Sequence, residues 1–411
     1  MKLTYFFLTC ILLLFFLGCR KNSGLAEYNS AVPYYSDIAL EHQWSKYVIR
    51  GNGNYVTGLK NTSNLILLFS TRVIYAFSMS DGELLWYYQP DFIPGIQGDL
   101  EIMETPDKLI FVQKSKEGYV TVLNKVNGAF VEGFSLMDMP GYSGTPASAA
   151  KWNDKLYLLS IEQRSPGAFE VNNNVYKFDP LSEELLLIGT EEGYNQTSVN
   201  TPILIDSISS KLYVTYKGFE NNLYSLNFIE IDLDTDEFSS MRVRGYTTDD
   251  LIYSLKTFRD VKIDTLIFTA LDRNSGFAAV DSRDGSIIWT TSRQFDYSYT
   301  HLGKLFLASL GEFTQVNQLT GKPIWNSGIK AGFSDYVVFH PNKDMALISR
   351  VNSNVLRIYD LNDGSVLSEV DARNLGNSTH FPTNALYIEN GGKVILATDA
   401  FAIHCFKSPF N

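Results

Sequence analysis

Two stretches far apart in this chain follow one grammar: Tyr75-Ala76-Phe77-Ser78-Met79-Ser80-Asp81-Gly82-Glu83-Leu84-Leu85-Trp86, and Ala278-Ala279-Val280-Asp281-Ser282-Arg283-Asp284-Gly285-Ser286-Ile287-Ile288-Trp289. Each reads as a strand, a tight turn and a second strand, and a unit that recurs at a period of tens of residues decides the architecture before any other feature does. Gly82, Gly128, Gly285, Gly321 and Gly364 supply the positive backbone angle such a turn needs, and Asp or Asn precedes four of them. Four positions before each glycine stand Ser78, Asn124, Asp281, Asn317 and Asp360, short polar residues that can bond the turn amides. One position earlier come the apolar residues Phe77, Leu123, Val280, Val316 and Tyr359, which the pattern points at a core. Four positions after the glycine, Trp86, Trp289 and Trp325 place a large ring on the outer strand, where packing against a neighbouring unit explains their regular offset.

Two copies lack the glycine: Phe178-Asp179 leading to Glu183, and Ile231-Asp232 leading to Asp236. With them, the turn positions are 82, 128, 183, 236, 285, 321 and 364. Their average spacing of about 47 residues is that of four-stranded propeller blades. Further apolar strands precede each phrase, as in Leu65 to Phe69 or Lys211 to Tyr216, and several inner strands open at a proline, as in Thr145-Pro146 and Thr201-Pro202. An eighth unit starts at Phe381-Pro382 and runs through Phe406 without an outer strand of its own. A bare edge of that kind must be paired, and the segment from His42 to Ile49 is the donor. The expected fold is therefore all-β, an eight-bladed β-propeller of four-stranded blades closed by a strand from each terminus. Seven blades is the alternative if one degenerate copy is an insertion.

The formal net charge of −11 weighs against nucleic-acid binding and a polybasic membrane patch, and 45% hydrophobic residues suffice for a large core. Lys2 precedes an apolar run from Tyr5 to Leu17. At about 13 residues that run suits a signal peptide and is too short for an ordinary membrane span. It ends in Phe16-Leu17-Gly18-Cys19, which resembles the bacterial lipobox with Phe16 in place of the usual leucine. The expected organisation is a lipoprotein signal peptide over residues 1–18, a lipidated tether over 19–40 beginning at Cys19, and a single propeller domain over 41–411.

The repeated phrase resembles the quinoprotein-like propeller repeat, the family of pyrroloquinoline quinone dehydrogenases and their non-enzymatic relatives. Those relatives include the propeller lipoprotein of the outer-membrane barrel-assembly machinery. The resemblance spans about residues 42 to 407 and specifies the fold, not the cofactor. Quinoprotein alcohol dehydrogenases resemble one another in a pair of adjacent cysteines at the cofactor, and no Cys-Cys occurs here. Cys10 departs with the signal peptide and Cys19 carries lipid, so Cys405 stands alone, reads as a small buried apolar residue, and leaves no intramolecular disulfide. The expectation is no bound quinone and no other cofactor.

Other constellations are weaker. Asp232-Leu233-Asp234-Thr235-Asp236 opens like a calcium loop, but Glu237 stands where that loop needs glycine, and the stretch is also the fourth turn. His42, His301, His340, His380 and His404 show no metal-ligand spacing, although His301 and His380 lie near inner-strand starts, where separate blades can converge. No nucleophile elbow or phosphate loop appears. Aromatic residues outside the phrase, namely Tyr87, Tyr88, Phe92, Tyr142, Phe333, Tyr336 and Phe381, fall near blade junctions and inner-strand starts. Phe92, Tyr142, Phe333, Tyr336 and Phe381 are the candidate partner-binding rim, with blade-to-blade packing as the alternative. These features point to a monomeric, non-enzymatic binding scaffold, anchored through Cys19 to the outer membrane, facing the periplasm and docking an envelope protein. The alternatives are a small molecule, glycan or redox quinone in the central channel, and display on the cell surface.

Overall fold

The computed structural model describes residues 41–47, 56–70, 73–89, 100–113, 118–165, 170–194, 203–220, 223–248, 261–271, 276–292, 295, 297–309, 312–327, 335–340, 342–350, 355–371, 373, 386–388, 393–398 and 402–407. The leader, the tether and Cys19 lie outside them.

The described residues form eight four-stranded sheets. Strand β1 (Glu41–Tyr47) belongs to the last of these. Blade one is β2 (Val56–Asn61), β3 (Leu65–Ser70), β4 (Ile74–Ser78) and β5 (Leu84–Tyr88). Blade two is β6 (Leu100–Glu104), β7 (Lys108–Gln113), β8 (Tyr119–Asn124) and β9 (Phe130–Ser135). Blade three is β10 (Thr145–Trp152), β11 (Lys155–Gln163), β12 (Glu170–Asp179) and β13 (Glu184–Tyr194). Blade four is β14 (Ile203–Asp206), β15 (Lys211–Glu220), β16 (Leu223–Asp232) and β17 (Phe238–Thr248). Blade five is β18 (Val261–Ile263), β19 (Leu266–Ala270), β20 (Phe277–Asp281) and β21 (Ile287–Thr291). Blade six is β22 (Tyr297–His301), β23 (Lys304–Ser309), β24 (Glu312–Val316) and β25 (Pro323–Asn326). Blade seven is β26 (Asp335–Phe339), β27 (Met345–Arg350), β28 (Val355–Asp360) and β29 (Val366–Asp371). Blade eight is β30 (Leu386–Ile388), β31 (Lys393–Thr398), β32 (Ala402–Lys407) and, on its outer edge, β1. The fold is an eight-bladed β-propeller, and its last blade is completed by the strand that comes first in the sequence. In that pairing Trp44 lies opposite Cys405, Ser45 opposite His404 and Tyr47 opposite Ala402.

By internal contacts the chain divides into two compact units, residues 1–95, 352–356 and 368–411, and residues 96–351 and 357–367. In the first, Ile66, Leu68, Tyr75 and Phe77 of blade one pack with Ile395, Ala397, Ile403 and Cys405 of blade eight. In the second, similar clusters join consecutive blades, for example Leu226, Phe228 and Val243 of blade four with Ile267, Ala278 and Val280 of blade five. The middle strands read as near-continuous apolar runs because both faces are covered by neighbouring blades. Leu65–Ser70 and Phe277–Asp281 are buried along their whole length.

The repeated phrase is a tight turn stapled twice. The amide of the glycine donates to the carbonyl four residues back, at 2.9 Å in Gly82, Gly128, Gly285, Gly321 and Gly364 alike. The side chain of that same residue accepts the amides inside the turn: Asn124 Oδ1 from Val126 at 3.0 Å, Asp281 Oδ1 from Arg283 at 2.9 Å, Asp360 Oδ1 from Asn362 at 2.8 Å.

The glycine and the tryptophan are one device. A Cβ on Gly364 would stand 2.5 Å from Cε3 of Trp325, and one on Gly321 would stand 2.7 Å from Cε3 of Trp289. In the first unit Trp44 sits on Gly82 in the same way, 2.5 Å from such a Cβ. At these three junctions the tryptophan of one blade thus lies against the bare turn of the next, with β1 supplying the ring of the closing blade. Glu183 and Asp236, the turns without glycine, keep the left-handed angle at φ 57° and 58°. They follow outer strands that have Glu132 and Leu187 at the tryptophan offset. With no ring to admit, the turn tolerates a side chain.

Candidate functional site at the inner-strand end of blades three and four

Blades three and four are built out beyond the others. Strands β12 and β13 span 10 and 11 residues, and β15, β16 and β17 span 10, 10 and 11. The corresponding strands of the other blades have four to seven. The added length lies at the end where the inner strands begin, shown by the pairing of Glu170 with Tyr194 and of Tyr224 with Thr248.

Asparagine is depleted in strands, so three in a row, Asn172 to Asn174, call for a reason. Alternation puts Asn172 and Asn174 on one face and Asn173 on the other. On the first face Asn174, 3% exposed, donates to Ser143 Oγ at 3.1 Å and to Glu162 Oε2 at 3.2 Å, and accepts from Thr190 Oγ1 at 2.8 Å. Glu162 Oε2 also accepts from Ser143 Oγ at 3.2 Å and from Asn172 Nδ2 at 3.4 Å. The Tyr176 hydroxyl accepts from the Ser143 amide at 3.0 Å, and buried Ser160 donates to the Ser143 carbonyl at 2.5 Å. Five side chains from β11 and β12 therefore fix the loop that leads into β10. A buried polar network satisfied in this way is rigid.

On the other face, Asn173 Nδ2 donates to the Glu191 carbonyl at 3.3 Å. Tyr216 of β15 donates to Glu191 Oε2 at 3.2 Å, which braces blade four against blade three. Burial, and then the Glu191 carboxylate, push the Tyr216 phenol upward and keep it neutral. Beside them Tyr194 and Tyr224 meet edge to face at 5.3 Å. The lip above this frame presents exposed Gln163 and Glu170, the solvent-facing ion pair Arg164–Glu192 at 3.0 Å, and Leu223. This is a preorganised polar and aromatic surface, suited to recognition of another macromolecule.

The sequence-derived candidates are scattered. The Tyr142 ring stacks on Tyr176 at 4.9 Å, half-buried on the core shared by blades two and three, and burial drives its phenol upward. It works here as packing beneath the lip. Tyr336 lies on β26 opposite Ser349. Phe92, Phe333 and Phe381 lie outside the described residues. Trp86 is buried, while Trp289 and Trp325 donate their indole N–H to the next blade, to the Gln318 carbonyl at 2.7 Å and the Leu361 carbonyl at 3.1 Å.

The described histidines fall in two places: His42 and His404 both bond Ser45 Oγ at 2.8 Å on blade eight, and His301 and His340 lie together beside Phe339. His301 Nε2 bonds the Lys343 carbonyl at 2.7 Å and its ring stacks on Phe339, while His340 Nδ1 accepts the Asn342 amide at 3.2 Å. Burial lowers the pKa of both. Of the aspartates that mimic a calcium loop, Asp232 caps its own turn, and Asp236 accepts Lys177 Nζ at 2.8 Å and the Tyr157 hydroxyl at 3.4 Å. They serve the turn and the junction between blades. Among the described residues no group of three acidic, cysteine or histidine side chains is placed to hold a metal ion.

No family model matches the chain, and no curated protein does. Solved structures do. The chain is similar to BamB from Moraxella catarrhalis, with a TM-score of 0.55 and 12% identity over 90% of this chain and 98% of that one. It is similar to quinohemoprotein alcohol dehydrogenase from Comamonas testosteroni, with a TM-score of 0.59 and 12% identity over 90% of this chain and 76% of that one. Sqt1 of Saccharomyces cerevisiae aligns with a TM-score of 0.55 and 8% identity over 87% of this chain and 96% of that one. At these identities the likeness is one of fold alone, an eight-bladed propeller similar to that of BamB. Cys405, the one cysteine among the described residues, is fully buried in the blade-eight core.

Proposed function

We propose that this protein is a lipid-anchored, non-enzymatic binding scaffold of the outer membrane, facing the periplasm and docking an envelope protein on the inner-strand end of blades three and four. The observation that carries this reading is the built-out head of those two blades. Its half-buried Asn174–Glu162–Ser143 network holds a lip of exposed polar side chains in fixed positions, and preorganisation of that kind lowers the entropic cost of association. The likeness in fold to BamB supports it, and the leader ending at Cys19 supports the anchor. In this reading the propeller acts as a monomer and no quinone takes part.

The test is crosslinking in intact cells followed by affinity purification, with wild type beside a Glu170→Lys/Glu192→Lys variant. A specific envelope protein recovered with wild type and lost from the folded variant supports the reading. Equal recovery from both overturns the assignment of the surface, and an absorbing cofactor in the purified protein overturns the non-enzymatic reading. Cys19→Ser should move the protein out of the membrane fraction, and persistence there would refute the anchor.

A further inference from the structure

Between blades three and four the ring and the glycine change sides. At the junctions of blade five with six and of six with seven, the earlier blade brings the tryptophan and the later blade the bare turn. Here the later blade brings the ring, Phe238 at the start of β17, and the earlier blade brings the bare position, Gly189 on β13. A Cβ on Gly189 would meet three atoms of the Phe238 ring first, with Cγ at 2.5 Å. Neither Gly189 nor Gly193 has a left-handed φ, so the backbone does not call for glycine at either place. What each position lacks is room for a side chain. A Cβ on Gly193 would meet Asn173 Nδ2 and, at 3.0 Å, the Lys217 carbonyl of β15.

Past the bulge at Val175, β13 pairs regularly with β12, from Gly189 opposite Val175 to Gly193 opposite Val171. Gly189, Glu191 and Gly193 therefore share one face, the face turned to blade four. Glu191, between the two glycines, accepts from the Tyr216 hydroxyl at 3.2 Å. At the turn end of the same seam Asp236 of blade four accepts Lys177 Nζ at 2.8 Å and the Tyr157 hydroxyl at 3.4 Å, both from blade three. Tyr157 and Val175 also pack with Val214 and Ile229 of blade four. Contacts thus follow the seam from the turns to the lip, along the length that sets these two blades apart.

We infer that the heads of blades three and four are one cooperative body, seated on Gly189 and Gly193, with Glu191 as a positioning residue that sets the two halves of the lip against each other. What the body is for rests on the docking reading above: a partner on this surface meets both blades at once. The coupling itself needs no partner.

Native-state hydrogen exchange of the full chain tests it, read from residues 187–194 and 223–230, with residues 304–309 of blade six as control. As urea is raised below the global transition, wild-type amides of the two heads should converge on one opening free energy with one slope. Tyr216→Phe deletes only the hydroxyl that reaches Glu191, and it should quicken exchange about 10-fold in both heads while the control holds. Gly189→Ala should quicken both heads too, and in a Phe238→Ala background it should add nothing, because the ring is what the new methyl meets. Separate opening curves for the two heads in wild type, quickening confined to the substituted blade, or equal quickening in blade six would overturn the inference. The wild-type curves decide even if a variant does not fold. Should crosslinking in cells recover no envelope protein, the docking reading fails while coupled exchange still upholds the seam; separate exchange overturns the seam whatever is recovered.

Discussion

Replacing one tryptophan by phenylalanine should have opposite consequences at two structurally equivalent positions. Trp325 and Trp44 each lie on the glycine turn of the next blade, so Trp→Phe removes the same apolar area at both, at about 1 kcal/mol. The polar term differs. At Trp325 the change also deletes the hydrogen bond to the Leu361 carbonyl at 3.1 Å, a further loss of about 1 kcal/mol. At Trp44 it removes a buried donor that has no acceptor among the described residues, a gain of about 1–3 kcal/mol that cancels or exceeds the area term. Trp325→Phe should therefore destabilise by about 2 kcal/mol and Trp44→Phe by about zero, or stabilise. Trp289→Phe, with its bond to Gln318 at 2.7 Å, should behave like Trp325→Phe. The assay is urea unfolding followed by far-ultraviolet circular dichroism at neutral pH, comparing midpoints at matched slopes. Equal costs at positions 44 and 325 would refute the reasoning, since they would show that the indole N–H bonds contribute nothing to docking.

Gly364→Ala should destabilise by about 2–3 kcal/mol, because a side chain at φ 76° is strained and its Cβ would overlap the Trp325 ring, a cost the same unfolding assay reads directly. The two natural departures from glycine should separate: Glu183→Gly relieves a left-handed residue and gains about 0.5–1 kcal/mol, whereas Asp236→Gly forfeits the Lys177 and Tyr157 contacts and shows a net loss in the same measurement. Stability should also fall in acid. His404 is lowered from 6.5 to about 3, so the unfolded chain binds the extra proton below 6.5, and the loss grows as pH drops towards 3. It reaches about 2 kcal/mol at pH 5. Unfolding midpoints taken across that range should show this slope in the wild type and lose it in His404→Asn.

The turns were readable because their chemistry is local. Asp281 and Gly285 are four positions apart and meet through backbone bonds that any such spacing permits. The tryptophan offset was equally legible. The head of blades three and four was not. Ser143, Glu162 and Asn174 come together only through strand pairing, and aromatic residues in loops follow no periodicity that separates a buried ring from an exposed one. Tyr142 shows this, having turned inward onto Tyr176. Two traces were nevertheless present: the asparagine triplet, and the wide gaps between turn positions 128, 183 and 236. The contact of Ser45 with His404 had no local trace, since only closure of the last blade brings the two together.

The pairing of a tryptophan with the glycine of the following turn means that the natural unit of this sequence is a junction, not a blade. Cut the chain by blades and blade six carries half of two different locks, its Gly321 turn and its Trp325 ring. Removing blade six would bring the Trp289 ring to Gly364, a match that still fits. Removing blade three would bring Glu132 to the Asp236 turn, two side chains where a ring and a bare turn might have met. Insertion or deletion of blades in this protein should therefore follow the register of its locks, and a permuted or shortened version is best designed by counting interfaces.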